Sequence, residues 1–301
     1  MTGLAIGVDI GGSKLVAGVV DHDGRVVDRE DRVTPHRSTE PSVVEDVIVE
    51  AVQALLRRHD APTVGIGAAG FVDATRERVM FAPHLSWRAE PLAANVQGRL
   101  GLPVLVDNDA NAALWAEHRF GAARAVDDAV MITLGTGIGG AVLIGGRPYR
   151  GFNGMAGEFG HMQVVPDGRL CECGKTGCWE QYCSGKALGR VAAEAGSELR
   201  GPSLTLAAQS GNPVAGKAFD EIGRWLGVGL ADVVAGLDPE IVVVGGGVSA
   251  AGELILGPAR PALRRGLVGV GHRTEPALVI AELGPLAGLV GAAALSRELL
   301  S

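Results

Sequence analysis

Three of the four cysteines of this 301-residue chain fall within eight positions, as Cys171-Glu-Cys173-Gly-Lys-Thr-Gly-Cys178, and His161 stands ten positions upstream. Three thiolates and one imidazole form a closed tetrahedral donor set, the arrangement of a structural rather than a catalytic zinc ion. Gly174 and Gly177 let such a loop turn back sharply, because glycine reaches positive φ without steric cost. Glu158 precedes the loop and Glu180 follows it. A metal knot there would hold two carboxylates in fixed places.

Two glycine-rich turns offer a different chemistry. Asp9-Ile-Gly11-Gly12-Ser13-Lys14 lies between two apolar runs. A hairpin tip of that composition presents successive backbone N–H groups to an anion beside a carboxylate. Asp9 is suited to hold Mg2+ through water, because that ion sheds its hydration shell reluctantly. The run Gly135-Thr136-Gly137-Ile-Gly-Gly140 supplies the same donors and the Thr136 hydroxyl. Either turn alone is an ordinary hairpin; two in corresponding positions make a clamp for a polyphosphate across a cleft. Dinucleotide binding is the weaker reading of these glycines. Gly135-x-Gly137-x-x-Gly140 and Gly65-x-Gly67-x-x-Gly70 both fit its expression, which requires a helix directly afterwards. Residues 141–144 read as a strand, and Phe71-Val-Asp73 has no helical period. Gly245-Gly246-Gly247 does stand between a strand and a helix, but without the acidic residue about twenty positions on that holds a ribose. The phosphate-loop pattern fails too, since Arg169 occupies its first glycine position before Gly174-Lys175-Thr176.

Val104-Leu-Val-Asp107-Asn108-Asp109-Ala-Asn111 runs from an apolar strand into acids and amides, with a helical run behind it. Ligand-facing groups of α/β sheets stand at the carboxyl ends of strands, where Asn108 and Asp109 fall. One such side chain suffices to cap the helix, but capping does not account for three polar residues in a row. A carboxylate at a helix N-terminus stays ionised, as a proton acceptor must. Asn and carboxylates together suit a polyhydroxylated ligand, whose hydroxyls need well-placed acceptors. The residues point to phosphoryl transfer to an alcohol, with a sugar as acceptor.

The elements that must position these groups follow from apolar periodicity. Residues 4–10 read as a buried strand, 15–20 as its return, and Asp23-Gly24 as a second hairpin before a strand at 25–27. Ser42-Val-Val-Glu45 is a capping-box pattern, followed at helical spacing by Val44, Val47, Ile48, Ala51, Val52 and Leu55. Residues 64–68 and 104–106 are short apolar strands. The second half repeats the opening: a strand at 130–134, a glycine turn over 135–140 and a return at 141–144. A helix marked by Phe219 through Leu237 stops near Asp238-Pro239. A buried strand at 241–244 runs into glycines, a helix starts near Ser249, and residues 286–300 form a helical tail. The duplication implies an α/β protein of two lobes.

With 47% hydrophobic residues the chain can bury a substantial core, divided at this length between two domains. Its net charge of −7, from 27 basic and 34 acidic residues, and its lack of basic runs argue against a nucleic-acid partner. No stretch of about eighteen apolar residues is present, which argues against a membrane partner. The N-terminus enters a strand-like run without the charged-then-apolar pattern of a secretion signal. Clustered cysteines then read as metal ligands rather than disulfides, and the expected location is cytoplasmic.

In chain order, Asp9-Ile-Gly-Gly-Ser-Lys14, Asp107-Asn-Asp-Ala-Asn111, Leu134-Gly-Thr-Gly-Ile-Gly-Gly140, Glu158-Phe-Gly-His161 and Cys171-Glu-Cys-Gly-Lys-Thr-Gly-Cys-Trp-Glu180 resemble the ROK family of sugar kinases and repressors. The zinc motif with its flanking glutamates is the most specific part, and the glycine hairpins are the least. The resemblance implies a two-lobed actin-like ATPase fold, ribonuclease H-like, with an interlobe cleft. Its small lobe would span residues 1–118, joined by a C-terminal helix over 287–301. Its large lobe, over 119–286, would carry the zinc loop and the surface of a homodimer or dimer of dimers. Asp109 is implied as the base on the sugar hydroxyl, with Gly70, Asn108, Glu158, His161 and Glu180 as sugar ligands. Asp9, Gly11, Gly12, Ser13, Lys14, Thr136, Gly137, Gly245 and Gly246 are implied around ATP and Mg2+. His161 would bind a structural Zn2+ through one ring nitrogen, with Cys171, Cys173 and Cys178, and reach the sugar through the other. Ser13 stands where threonine is commoner. Cys183 is an extra thiol and leaves open a second set, Cys171, Cys173, Cys178 and Cys183.

The implied reaction is transfer of the ATP γ-phosphoryl group to O6 of glucose, because the Cys-Trp-Glu-Gln-Tyr stretch is most similar to glucokinases of the actinobacterial type. The same residues also suit N-acetylglucosamine, N-acetylmannosamine, mannose or fructose, and polyphosphate is open as a donor. A sugar-sensing repressor of the family would carry an N-terminal helix-turn-helix domain. The acidic charge and a first strand near Leu4 speak against that reading.

Overall fold

The structure, a computed structural model, describes residues 3–300. The chain forms two compact units. The first runs to Ala125, takes in Arg147–Ala156 and resumes at Glu282; the second comprises Val126–Gly146 and Gly157–Ala281. These bounds differ from the division at 118/119 and 286/287 that the resemblance implies, and two carboxylates fasten outlying segments to the first unit. Glu117, with no exposed surface, accepts hydrogen bonds from the backbone N–H groups of Ala122 (2.7 Å), Glu282 (3.1 Å) and Leu283 (2.8 Å). It ties the chain near two of its four crossings, at Ala122 and at Glu282, to the first unit. Asp107 holds Arg150, and with it the segment Arg147–Ala156, which includes the two-residue strand β11 (Arg147–Pro148).

In the first unit, β1 (Ala5–Ile10), β2 (Lys14–Val20) and β3 (Val26–Val33) form an antiparallel meander, and β4 (Val64–Ala68) and β8 (Val104–Asn108) add to β1 in parallel. The sheet order is β3-β2-β1-β4-β8. β1 and β4 are continuous apolar runs because both faces are covered. β3 lies at an edge and carries Asp28, Arg29, Glu30, Asp31 and Arg32, charges that guard an edge against stray pairing. It extends well past the strand expected at 25–27. A separate three-stranded sheet of β5 (Phe71–Val72), β6 (Val79–Phe81) and β7 (Arg88–Glu90) meets the opposite edge strand, β8, through β5. Helix α1 (Pro41–Leu56) buries Val44, Ile48, Val52 and Leu55 on one stripe. It starts one residue before the supposed capping box. Pro41, fixed at helical φ, opens it, and its N-cap Glu40 makes no side-chain cap bond, so Ser42 already lies inside the helix.

Helices α2 (Leu92–Leu100) and α3 (Asp109–Phe120) follow, and α8 (Ala287–Ser296) returns to the same unit. α8 is buried nearly all round. It packs by its backbone: a Cβ added at Gly65 would lie 1.8 Å from the carbonyl oxygen of Ala292, and one at Gly291 would lie 1.7 Å from that of Ala112. Short 3₁₀ turns flank it, so the expected continuous helix over 286–300 is three pieces.

In the second unit, β9 (Ala129–Leu134) and β10 (Ile138–Ile144) form the hairpin. β12 (Ile241–Gly245) runs parallel to β9, and β13 (Ala277–Ile280) parallel to β12. The turn is shorter than 135–140, because Ile138, Gly139 and Gly140 already pair with Leu134, Thr133 and Ile132. Helices α4 (Gly185–Glu194), α5 (Gly201–Gln209), α6 (Pro213–Leu237) and α7 (Glu253–Gly266) complete the unit. Asn212 caps α6, which ends at Asp238 in the left-handed region (φ 47°). The helix expected near Ser249 is first a 3₁₀ turn, Gly247–Ala251, and α7 begins at Glu253. Among the described residues no helix is long and apolar enough to cross a membrane.

Replacing Gly65 by alanine should therefore push α8 off the sheet and cost about 1–3 kcal/mol or more, since backbone rather than a side-chain tip must yield. Gly236→Ala, in open space on α6, is the control and should hold or raise stability. Urea unfolding of both variants checks the contrast.

Candidate active site

In the first unit three parallel strands end level with one another, since Ile10 pairs with Ala68 and Ala68 with Asn108. Asp9, Gly70, Asn108 and Asp109 are gathered at that carboxyl end, where open α/β sheets bind ligands. Asn108 is the N-cap of α3. Its Oδ1 accepts from the N–H groups of Ala110 (2.9 Å) and Asn111 (3.1 Å), and its Nδ2 donates to the Gly70 carbonyl at 3.1 Å. The amide is thus locked in orientation. Asp109 opens the helix and accepts from the Ala110 N–H at 3.0 Å. Burial pushes its carboxyl up to about 6, against the pull of the Ala110 and Asp109 N–H groups and the Asn108 amide. Asp9 is pushed up to about 7, first by burial and then by the charge of Asp109, against Lys14. Two neighbouring carboxyls of this kind form a natural seat for a cation.

The β1–β2 turn is closed by the Gly11 N–H donating to the Lys14 carbonyl (3.0 Å) and braced by the Thr34 hydroxyl on the Gly11 carbonyl (2.8 Å). Gly12 and Ser13 form its exposed tip. The Lys14 ammonium pairs with Asp31 of β3 at 2.6 Å rather than lying over the turn. Asp107 faces inward. With 1% of its surface exposed, it receives Nε (2.9 Å) and Nη2 (2.5 Å) of Arg150, the Asn111 amide (3.0 Å) and the Asn108 N–H (2.9 Å).

In the second unit β9 and β12 also end together, Thr133 pairing with Gly245. The turn Gly135–Gly137 is stitched to the start of α4 by the Gly185 N–H on the Gly135 carbonyl (2.8 Å). Gly246 lies at φ 82° against the backbone of Leu134, so the second glycine turn abuts the first. Glu180 lies over Gly137 so closely that a Cβ there would be 2.3 Å from its Oε2. His161, at the end of a 3₁₀ turn begun at Phe159, stands between two glutamates. Its Nε2 is 4.0 Å from Glu158, and its Nδ1 is 3.9 Å from Glu180 and 3.7 Å from the Cys171 sulfur.

A ring nitrogen of His161 and the sulfurs of Cys171, Cys173 and Cys178 come together as a candidate metal seat. One ligand atom from each of these four residues lies within 4.8 Å of all the others. Zinc–sulfur bonds of about 2.3 Å make tetrahedral edges of about 3.8 Å. The Cys173–Cys178 separation is 3.6 Å and the Cys171–His161 separation 3.7 Å, so the donor set fits zinc. Trp179 anchors it: the indole is fully buried against Gly229 of α6 and donates to the Trp225 carbonyl at 2.7 Å. Cys183 belongs instead to the apolar core, where burial pushes its thiol up. The alternative four-cysteine set is not assembled.

The sequence profile of the ROK family matches residues 5–298. The chain belongs to the ROK family. It is 46% identical to a glucokinase of Streptomyces coelicolor over 314 aligned positions, 98% of each chain. A ROK glucokinase of Streptomyces griseus, solved with glucose and AMPPNP, superimposes with a TM-score of 0.91 at 49% identity, covering 98% of this chain and all of that one. A ROK hexokinase of Thermus thermophilus gives 0.81 at 34% identity over 99% of each. The fold is the two-lobed actin-like α/β fold of these sugar kinases.

Neither Arg150 nor Glu117 announces itself in the sequence of this ROK chain. A buried ion pair spanning 43 positions leaves no local pattern, and a glutamate inside a helix reads as a solvated one. Trp179 did carry a signal, an indole wedged between a cysteine and a glutamate of the motif. Cys183→Ser should leave bound zinc unchanged, and Cys178→Ser should lose it; metal analysis after gel filtration reads both.

Proposed function

We propose that this chain is an ATP-dependent glucokinase that transfers the γ-phosphoryl group of ATP to O6 of glucose. The observation that carries the reading is the carboxyl end of β8, where a locked amide and a partly buried carboxylate stand side by side at a helix start. The likeness to glucokinases over nearly the full chain supports it.

Asp109, ionised, orients the O6 hydroxyl and accepts its proton as O6 attacks the γ-phosphorus. The bond from that phosphorus to the β–γ bridging oxygen breaks, and ADP leaves. Asn108, Glu158, His161 and Glu180 take the remaining sugar hydroxyls, with the backbone at Gly70 closing that side. The backbone N–H groups of the Gly11–Ser13 turn hold phosphate oxygens, as do Thr136, Gly137, Gly245 and Gly246. Such transfer needs mainly positioning and charge stabilisation. Mg2+, held through water by Asp9, would neutralise charge on the phosphates. Zinc, on His161, Cys171, Cys173 and Cys178, would supply rigidity to the residues around it. The family resemblance also supports a homodimer acting in the cytoplasm.

Purified protein with Mg-ATP, assayed against glucose, mannose, fructose and the N-acetylhexosamines, tests the reading. Glucose should give the highest kcat/KM and a product oxidised by glucose-6-phosphate dehydrogenase. A higher value for another sugar would reassign the substrate, and polyphosphate in place of ATP tests the donor.

Asp109→Asn should lower kcat by roughly 10²–10⁴, the usual worth of a positioned base, while calorimetry still detects glucose binding. The pH dependence follows in sign. An acceptor must be ionised, and the Asp109 carboxyl is raised from 3.8 to about 6. Activity should therefore be full above that value and fall about tenfold per pH unit below it. Near-normal turnover by the Asn variant would overturn the assignment.

A further inference from the structure

We infer that His84 is a phosphate-contacting residue: its imidazole, presented beside the Gly11–Ser13 turn, hydrogen-bonds the phosphoryl group in transfer, first on the nucleotide and then on the sugar phosphate. The inference rests on the kinase reading above and adds a residue to it.

His84 lies in the loop between β6 and β7. Ala82, Leu85 and Trp87 of that loop point into the core and are essentially fully buried, whereas His84 is exposed. The loop is also clamped from one side. Nη1 of Arg88 donates to the carbonyls of Ala82 (2.9 Å), Leu85 (3.3 Å) and Trp87 (2.5 Å), and the guanidinium lies 4.2 Å from the centre of the Phe81 ring. Three apolar anchors and one cation on three carbonyls hold a short loop in a single conformation. Pre-organisation of this degree is what a ligand-contacting loop requires.

The loop rests on two glycines of the site. A Cβ at Gly70 would lie 2.6 Å from the Phe81 carbonyl oxygen, and one at Gly12 would lie 2.6 Å from the His84 Cβ and 3.4 Å from its Cγ. Gly70 is the residue whose carbonyl accepts the Asn108 amide. Gly12 is the tip of the turn that follows Asp9. One rigid loop therefore touches the sugar-binding end and the phosphate-binding end of the same strand edge, and its single exposed imidazole stands at the phosphate end. Its ring nitrogens have no hydrogen-bond partner among the described residues. An imidazole N–H so placed is a donor for phosphate oxygens, which carry the charge that makes such bonds strong. The glycine at position 12 is explained on the same ground, since any side chain there would displace the histidine.

The test uses the whole chain with Mg-AMPPNP, glucose and glucose 6-phosphate as separate probes. Among the seven histidines, the ring-proton resonance of His84 is assigned by its loss in His84→Asn. It should shift on adding Mg-AMPPNP and on adding glucose 6-phosphate, and stay in place with glucose alone. His84→Ala should lower kcat/KM for ATP about tenfold or more, the size of a bond to a charged group. The KM for glucose should change by less than about twofold, and His84→Asn, which keeps an N–H donor, should recover part of the loss. A resonance that answers only to glucose, or to none of the probes, overturns the inference, as does normal ATP kinetics in His84→Ala. Those results leave the kinase reading standing. A wild-type chain that phosphorylates no sugar overturns both.

Discussion

Helix α8 meets its sheet backbone to backbone, and the first unit is organised around that contact. At Gly7, Gly65 and Gly291 there is no room for a single methyl group, so α8 lies flush between β1, β4 and α3. Interiors packed at crystal density transmit such a constraint rather than absorb it. The start of α8 then lies over Asp9, where a Cβ at Gly288 would be 2.8 Å from the carboxylate. Solvent access is reduced there, and burial is the leading cause of the raised values of both Asp9 and Asp109. The electrostatics of the site are a consequence of how closely a helix can approach a sheet. Glu117 secures the arrangement by fixing the backbone at Glu282 and Leu283, just before that helix begins.

The two units use one plan for different ends. In each, an antiparallel hairpin with a glycine turn is joined by two parallel strands, β4 and β8 in the first and β12 and β13 in the second. Each therefore presents backbone donors of a turn next to the carboxyl ends of strands. The first unit adds acids on that edge. The second adds a loop whose sequence is too rich in glycine and polar residues to pack by itself, with four metal donors and Trp179 standing in for a core. Trp179 joins the buried cluster of α6 and α7, so the cysteines and glutamates flanking it inherit the rigidity of a helix pair.

Much of this was legible beforehand, for reasons that can be stated. Strands buried on both faces are apolar runs, and the hairpins, parallel strands and long helix appear close to where periodicity puts them. The donor set was legible because metal coordination demands specific atoms at close spacing. What stayed hidden depends on distance along the chain or on direction of approach. Ser42-Val-Val-Glu45 has the letters of a capping box, yet Pro41 fixes the helix start one residue earlier. Nothing local says that Gly65 faces a carbonyl of residue 292 or that Arg88 gathers three carbonyls of one loop. Nor does anything local say that Glu117 and Asp107 bind backbone and guanidinium groups far away in sequence.

Asp107, Asn108 and Asp109 show how little sequence distance separates structural from chemical work. Three polar residues in a row suggest one polar cluster. The geometry divides them, because successive side chains at a strand end point to opposite sides and a helix starts at the third. Asp107 turns into the unit, where an unpaired carboxylate would be costly, and Arg150 with the Asn111 amide meets that cost. Asn108 spends its oxygen on two helix N–H groups and its nitrogen on Gly70. Only Asp109 is left facing outward, where burial opposes its charge and the Ala110 and Asp109 N–H groups and the Asn108 amide favour it. The balance of those two forces sets its value near 6, high enough to take a proton and low enough to be ionised at neutral pH. Fixing its two neighbours is what makes that balance reproducible.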